Sequence, residues 1–246
     1  PQLAKEVRER YACFDPFEKN EKAYARYLMQ FDEGCQEAVI SNLQKLFQLR
    51  LKEDGTKAEA LFNAQQNARI IKNGEEYYRA MLLGSAESWN VRDNHMMETL
   101  AMLLDRYGEN SKCIVWAHNT HIGDYRATDM VDDGYVNLGG LAREKFGADQ
   151  VSLVGFSTYE GEVMASPAWD GPHTVTQLPA ALPNSIEELC HQISVEHHSP
   201  RFYLLFDSIE QHSLLNKHRY GHRAVGVVYD PRFEKHGRNY VPTYLS

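Results

Sequence analysis

"CIVWAHNTHIGD", residues 113 to 124, runs from an apolar stretch directly into two histidines three positions apart. Ile, Val and Trp in succession, followed by a polar turn, form the pattern of a strand covered on both faces. Such strands belong to α/β layers rather than to helical bundles. At the carboxyl end of that strand, where open α/β sheets place their ligands, stand His118, Asn119 and His121.

Downstream the same grammar continues. "VSLVGF" (151 to 156), "FYLLF" (202 to 206) and "AVGVVY" (224 to 229) read as further strands, and "GFSTYEGEVMA" (155 to 165) as strand, turn and strand around Gly161. A helix is expected around 137 to 146, closed by Gly147, and another from Ser185, where Ser185 and Glu188 have capping-box spacing. Upstream the pattern is helical. In "CQEAVISNLQKLFQLRLK" (35 to 52), Val39, Ile40, Leu43, Leu46, Phe47 and Leu51 recur at three- and four-residue steps. "EDGT" (53 to 56) supplies a turn, a second helix runs from about Lys57 to Met81, and a third from near Trp89 to Gly108. The expected architecture is α/β: a mixed sheet with flanking helices over residues 111–246, preceded by a helical subdomain over residues 1–110.

Composition narrows the function. The chain of 246 residues has 26 basic and 34 acidic side chains, a net charge of −8, which disfavours nucleic acid and anionic membranes as partners and points to a small molecule. Four cysteines (Cys13, Cys35, Cys113 and Cys190) lie far apart without a C-x-x-C pair, the pattern of reduced thiols in a cytoplasm. Neither an export signal nor a membrane span is visible.

The H-x-x-H loop admits three readings. His118 and His121 fix a strand end by hydrogen bonds, or they serve proton transfer and substrate binding with Asn119, or they ligate a metal with Asp124. The spacing lacks the glutamate of H-E-x-x-H, so the metal reading is the weakest. "SWNVRDNHM" (88 to 96) places Arg92 and Asp93 near a helix start beside Trp89 and Asn90, as a capped helix with an ion pair or as a binding pair; His95 reads as exposed. Ser157 has no G-x-S-x-G elbow and reads as a structural hydroxyl, and His197 and His198 read as surface residues behind a helix.

Taken in order, "SWNVRDNHM", "VWAHNTHIGD", "GFSTYEGEV" with "PAWDGP", and "HRAVGVVYDP" with "FEKHGRNY" resemble the erythromycin esterase family from about Tyr77 onward. The resemblance implies an α/β core with a helical insertion and hydrolysis of a carboxylic ester or lactone, macrolide antibiotics included, with no metal or cofactor. It implies that His118 is the acid/base or oxyanion-stabilising histidine, that His121 orients it or contacts substrate, and that Asn119, Arg92, Asp93 and Trp89 bind substrate or shape the cleft. The family's Gly-Glu-x-x-His-Gly segment and a later catalytic glutamate have no counterpart here; "FDEGCQEA" lacks the histidine. The chain therefore reads as part of a longer hydrolase whose upstream segment is its partner in catalysis, with little activity alone. A ligand-binding domain of the same fold without chemistry is the non-enzymatic alternative.

Overall fold

The computed structural model describes residues 2–18, 20–31, 33–49, 55–169, 171–206 and 217–244. It divides into two compact units, Pro1–Cys113 and Ile114–Ser246.

The first unit is helical: α1 (Gln2–Tyr11), a 3-10 turn (Ala12–Phe17), α2 (Glu21–Gln30), α3 (Gln36–Gln48), α4 (Gly55–Ala80) and α5 (Ser85–Tyr107). Asn20 caps α2 by accepting from the Ala23 N–H at 2.9 Å, and Gly108, at φ 89°, ends α5 where a side chain would be strained. The core gathers Tyr24, Leu28, Cys35 and Val39, with Phe14, Phe17 and Tyr78 packed around them. The α3 face differs from the expected stripe: Val39, Asn42 and Leu46 are buried while Phe47 is exposed. Asn42 enters the core because Arg10 donates to its Oδ1 at 3.2 Å and its Nδ2 donates to the Val7 carbonyl at 3.3 Å. Leu51 and the first half of the expected turn at 53 to 56 lie outside the described residues, and Gly55 and Thr56 already belong to α4.

Two expectations fail in this unit. Helix α5 begins four residues before Trp89, so Arg92 and Asp93 lie within the helix rather than at its start. Cys13 and Cys35 are joined as a disulfide, correcting the expectation of four reduced thiols; sequence distance conceals two residues that α2 and the 3-10 turn bring into one core. No helix among the described residues is long and apolar enough to cross a membrane.

The second unit holds short elements: α6 (Asn119–Ile122), α7 (Leu138–Phe146), β1 (Gly161–Ala165), β2 (Thr174–Leu178), α8 (Ile186–Glu196), β3 (Tyr220–Arg223) and β4 (Tyr240–Thr243). Strands β1 and β2 pair antiparallel from Gly161↔Leu178 to Ala165↔Thr174, and β3 and β4 from Tyr220↔Thr243 to Arg223↔Tyr240. The helices at 137 to 146 and after Ser185 are present. Ser185 accepts from the Glu188 N–H at 3.1 Å, but the Glu188 side chain bonds Gln192 instead of completing the box.

The mixed sheet is not formed among the described residues. Residues 113–117, 151–156, 202–206 and 224–229 carry no ladder; Ile114 is 93% exposed and Trp116 87%. Such runs become strands only when neighbours satisfy their backbone groups, and here the parallel pairings reduce to isolated bridges, Ser166↔Val228 and Ser185↔Gly221. Residues 155–160 likewise form no strand, and Gly161 opens β1 rather than turning between two strands.

What holds this unit is a set of buried polar hubs. Arg223 donates to Glu234 (2.8 Å) and to the carbonyls of Thr158 (3.2 Å), Tyr159 and Pro179 (2.8 Å each), and Tyr229 donates to Glu234 at 2.8 Å. Around them Ala165, Leu178 and Tyr229 form a small apolar core.

Candidate active site

His118 ends the irregular segment and caps α6. Its Nε2–H donates to the Val225 carbonyl at 2.9 Å, which leaves Nδ1 to accept from the Thr120 N–H at 3.3 Å, with the Thr120 hydroxyl at 2.9 Å. A carbonyl can only accept, so these contacts fix one neutral tautomer on an imidazole that is still exposed. His121 follows in α6, half-buried.

Asn119 holds the loop to a second segment. Its Nδ2 donates to the Phe156 carbonyl at 2.5 Å and its Oδ1 accepts from the Phe156 N–H at 3.2 Å, replacing the backbone partner a strand would have supplied. Behind the loop, α7 comes so close that a Cβ on Gly139 would meet the carbonyl oxygens of Ile122 at 2.2 Å and Gly123 at 2.3 Å. Asn137 ties the same region together, donating to the Thr120 carbonyl at 3.0 Å and accepting from the Tyr125 and Gly140 N–H groups at 3.1 Å each.

Asp124 is committed elsewhere. Arg126 donates to it through Nε at 2.8 Å and Nη2 at 2.6 Å, and Arg143 lies at 3.5 Å. Burial pushes this carboxyl up, yet the Arg126 hydrogen bonds and the two guanidinium charges outweigh it and hold it below the usual carboxylate range. The metal reading of His118, His121 and Asp124 is thereby corrected: among the described residues no group of three His, Cys, Asp or Glu side chains is placed to hold a metal ion.

A second cluster, absent from the expected site, lies beside His118. Glu187, in the first turn of α8, is 2% exposed. Its Oε1 accepts from the Ser157 hydroxyl at 2.5 Å and the Arg223 N–H at 2.9 Å, and the His222 Nε2 stands 3.7 Å away. Its Oε2 is buried without a hydrogen-bond partner among the described residues, an arrangement that costs about 1–3 kcal/mol or more. Burial holds the His222 imidazole below its usual range; Glu187 opposes this and neighbouring His118 adds to it. Ser157 is thus more than a turn hydroxyl. Glu187 escaped the sequence because an acidic residue in a helix's first turn is ordinary dipole chemistry, and His222 because, although it opens "HRAVGVVYDP", no partner at a telling spacing singles it out.

The first unit carries the remaining candidates. Arg92 lies over the Trp89 ring at 4.8 Å, and Asp93 is fully buried. His95, expected on the surface, is half-buried with Nδ1 at 2.8 Å from Asn73 Nδ2. A hollow of about 800 Å³ between α3, α4 and α5 is lined by Glu75, Arg79, Asn90 and His95 among others. This hollow belongs to the first unit, whereas the imidazole and carboxyl cluster belongs to the second. Reactivity follows the groups that can move protons, so the second unit is the better candidate. His197 and His198 are exposed behind α8, as expected.

The family model described as Erythromycin esterase matches residues 1–246. No solved structure matches the chain.

Proposed function

Because the chain belongs to the erythromycin esterase family, we propose that it is part of a hydrolase cleaving carboxylic ester or lactone bonds, macrolactones among them, by histidine-assisted attack of water. The observation that carries this reading is the exposed His118 imidazole, held in one tautomer with its Nε2–H resting on a single carbonyl. Attack on an ester moves charge onto the carbonyl oxygen, and an N–H poised at that point stabilises it. His118 is the oxyanion donor, and His121 shapes the same turn. Asn119 positions the loop through Phe156 rather than reaching substrate with its amide. In the first unit, Trp89, Arg92 and the buried Asp93 are proposed as a ligand-contacting group in their own right, with Arg92 over the Trp89 ring. The reaction so described uses no cofactor.

A second reading, a ligand-binding domain without chemistry, is favoured by one observation: both His118 nitrogens and the Asn119 amide already have protein partners. The two readings separate on a panel of macrolide, simple ester and simple lactone substrates, with product mass showing addition of water. Hydrolysis by the full-length protein that carries the upstream segment, lost by about a hundred- to a thousandfold in His118→Ala, supports the esterase. The thermal midpoint should fall only slightly, because the substitution removes one exposed helix cap worth about 1 kcal/mol. Binding without turnover, unchanged in His118→Ala, supports the other.

A further inference from the structure

An oxyanion donor is useful only if its proton stays on the nitrogen that faces the developing charge and its ring cannot turn away. On His118 the two nitrogens are held separately, Nε2 by the Val225 carbonyl and Nδ1 by the Thr120 hydroxyl and N–H. We infer that Asn137, acting through Thr120, is the positioning residue that seats the His118 imidazole as an Nε2–H donor, an assignment that rests on the ester-hydrolase reading above.

Three observations carry it. First, Thr120 is not held by its own helix. Helix α6 ends at Ile122, so the Thr120 carbonyl falls in the last turn, where helix carbonyls lack an N–H four residues on. Asn137 Nδ2 supplies the missing donor at 3.0 Å, from a side chain that is 1% exposed. Second, the amide has only one possible orientation. The Tyr125 and Gly140 N–H groups, each 3.1 Å away, can only donate and so fix Oδ1. The Thr120 carbonyl can only accept and so fixes Nδ2, which also faces Met130 Sδ at 3.9 Å. With both donors and both acceptor sites engaged, one side chain joins α6, the turn at Tyr125 and the start of α7. Third, the backbone reaches the amide only because residue 140 has no side chain: a Cβ on Gly140 would stand 2.4 Å from Tyr125 Cδ1 and 3.2 Å from Asn137 Oδ1.

Nδ1 of His118 links this scaffold to the chemistry. The Thr120 N–H can only donate, so the Nδ1 that meets it carries a lone pair and the ring proton sits on Nε2. If Thr120 shifts, Nδ1 loses both of its donors at once, and an exposed ring is free to turn from the Val225 carbonyl and to exchange tautomers. Asn137 itself does not touch the imidazole. It acts on the placement of that group, and a misplacement of about 1 Å costs about a hundredfold in rate. The same side chain also caps α7, because Oδ1 accepts from the Gly140 N–H. The two tasks are separable: serine caps a helix about as well as asparagine, yet its side chain is one bond shorter and has no amide to give to the Thr120 carbonyl.

The test compares wild type, Asn137→Ser and Thr120→Val. Imidazole nitrogen NMR on the 246-residue chain reads His118 without turnover. Wild type should show Nε2 protonated and Nδ1 bare, and Asn137→Ser should show the two tautomers mixed while circular dichroism keeps the helical signal. Thr120→Val removes only the hydroxyl and leaves the carbonyl bonded to Asn137, so it should move the Nδ1 resonance in the same sense by less; it serves in place of Asn137→Ser where that variant does not fold. In the full-length protein that carries the upstream segment, with p-nitrophenyl acetate and an aliphatic lactone, Asn137→Ser should lower kcat about ten- to a hundredfold with KM little changed. A merely structural asparagine would lower the thermal midpoint and leave the His118 tautomer and kcat as in wild type, and that result overturns the inference. So does a wild-type His118 protonated on Nδ1, or an Nδ1 resonance indifferent to Thr120→Val. A full-length wild type inert toward every ester removes the esterase reading instead, and the tautomer measurement then decides by itself whether Asn137 seats the ring.

Discussion

The two units solve the same problem by different means. In the first, helices of 10 to 26 residues bury Tyr24, Leu28, Cys35 and Val39, and most backbone groups are satisfied inside the helices themselves. In the second, strands of four or five residues satisfy little, and Arg223, Glu187, Glu234 and Asn137 are buried to hold loops in place. A helix can be specified locally; a loop scaffold depends on individual hydrogen bonds from distant residues, so its stability is concentrated in few positions.

That contrast can be broken or sharpened. The largest effect is expected from Arg223→Met, which leaves Glu234 without its guanidinium partner and three carbonyls without donors, at a cost of about 3–5 kcal/mol. In urea titrations, amide hydrogen exchange should report early loss of protection in the second unit while far-UV circular dichroism retains the helices of the first. A single joint transition would erase the distinction. Next comes reduction of Cys13–Cys35, two cysteines 22 residues apart, which should cost the first unit about 3 kcal/mol and leave the second unmoved. Calorimetry with and without reductant reads this directly, and an equal loss in both units would show them to be one cooperative body.

The smallest effect is on pH. Burial, with Arg69 adding, lowers the His95 pKa in the first unit, and burial lowers that of His222 in the second. Below the ordinary histidine value of 6.5 the unfolded chain binds protons that the folded chain refuses. Stability is therefore complete above 6.5 and falls as pH drops from there toward the depressed folded values. His95→Gln should flatten that decline in the first unit only and His222→Gln in the second only, measured as thermal midpoints between pH 7 and 5. Crossed effects would contradict the assignment of each histidine to its own unit.

Sequence legibility follows the same line. The helices α3, α4 and α5 were readable because one face repeats at helical spacing, although Asn42 inside and Phe47 outside show that the stripe is decided by partners such as Arg10. The family could be read from motifs scattered along the chain. The strands could not, because "CIVWA" and "AVGVVY" have strand composition whether or not a neighbour pairs with them. At the site, the histidine loop announced itself, but Glu187 and His222 meet across 35 positions and only the path of α8 and β3 brings them together.

Gly139 carries a consequence for how such a protein can vary. Its missing side chain is what lets α7 touch the Ile122 and Gly123 carbonyls. Any larger residue there must force α7 and the H-N-x-H loop apart, changing the seat of His118 and His121 without altering either. Descendants of this chain thus have a route to losing or retuning the site through a position that no inspection of reactive groups would flag, and retention of all the histidines would be no guarantee of retained chemistry.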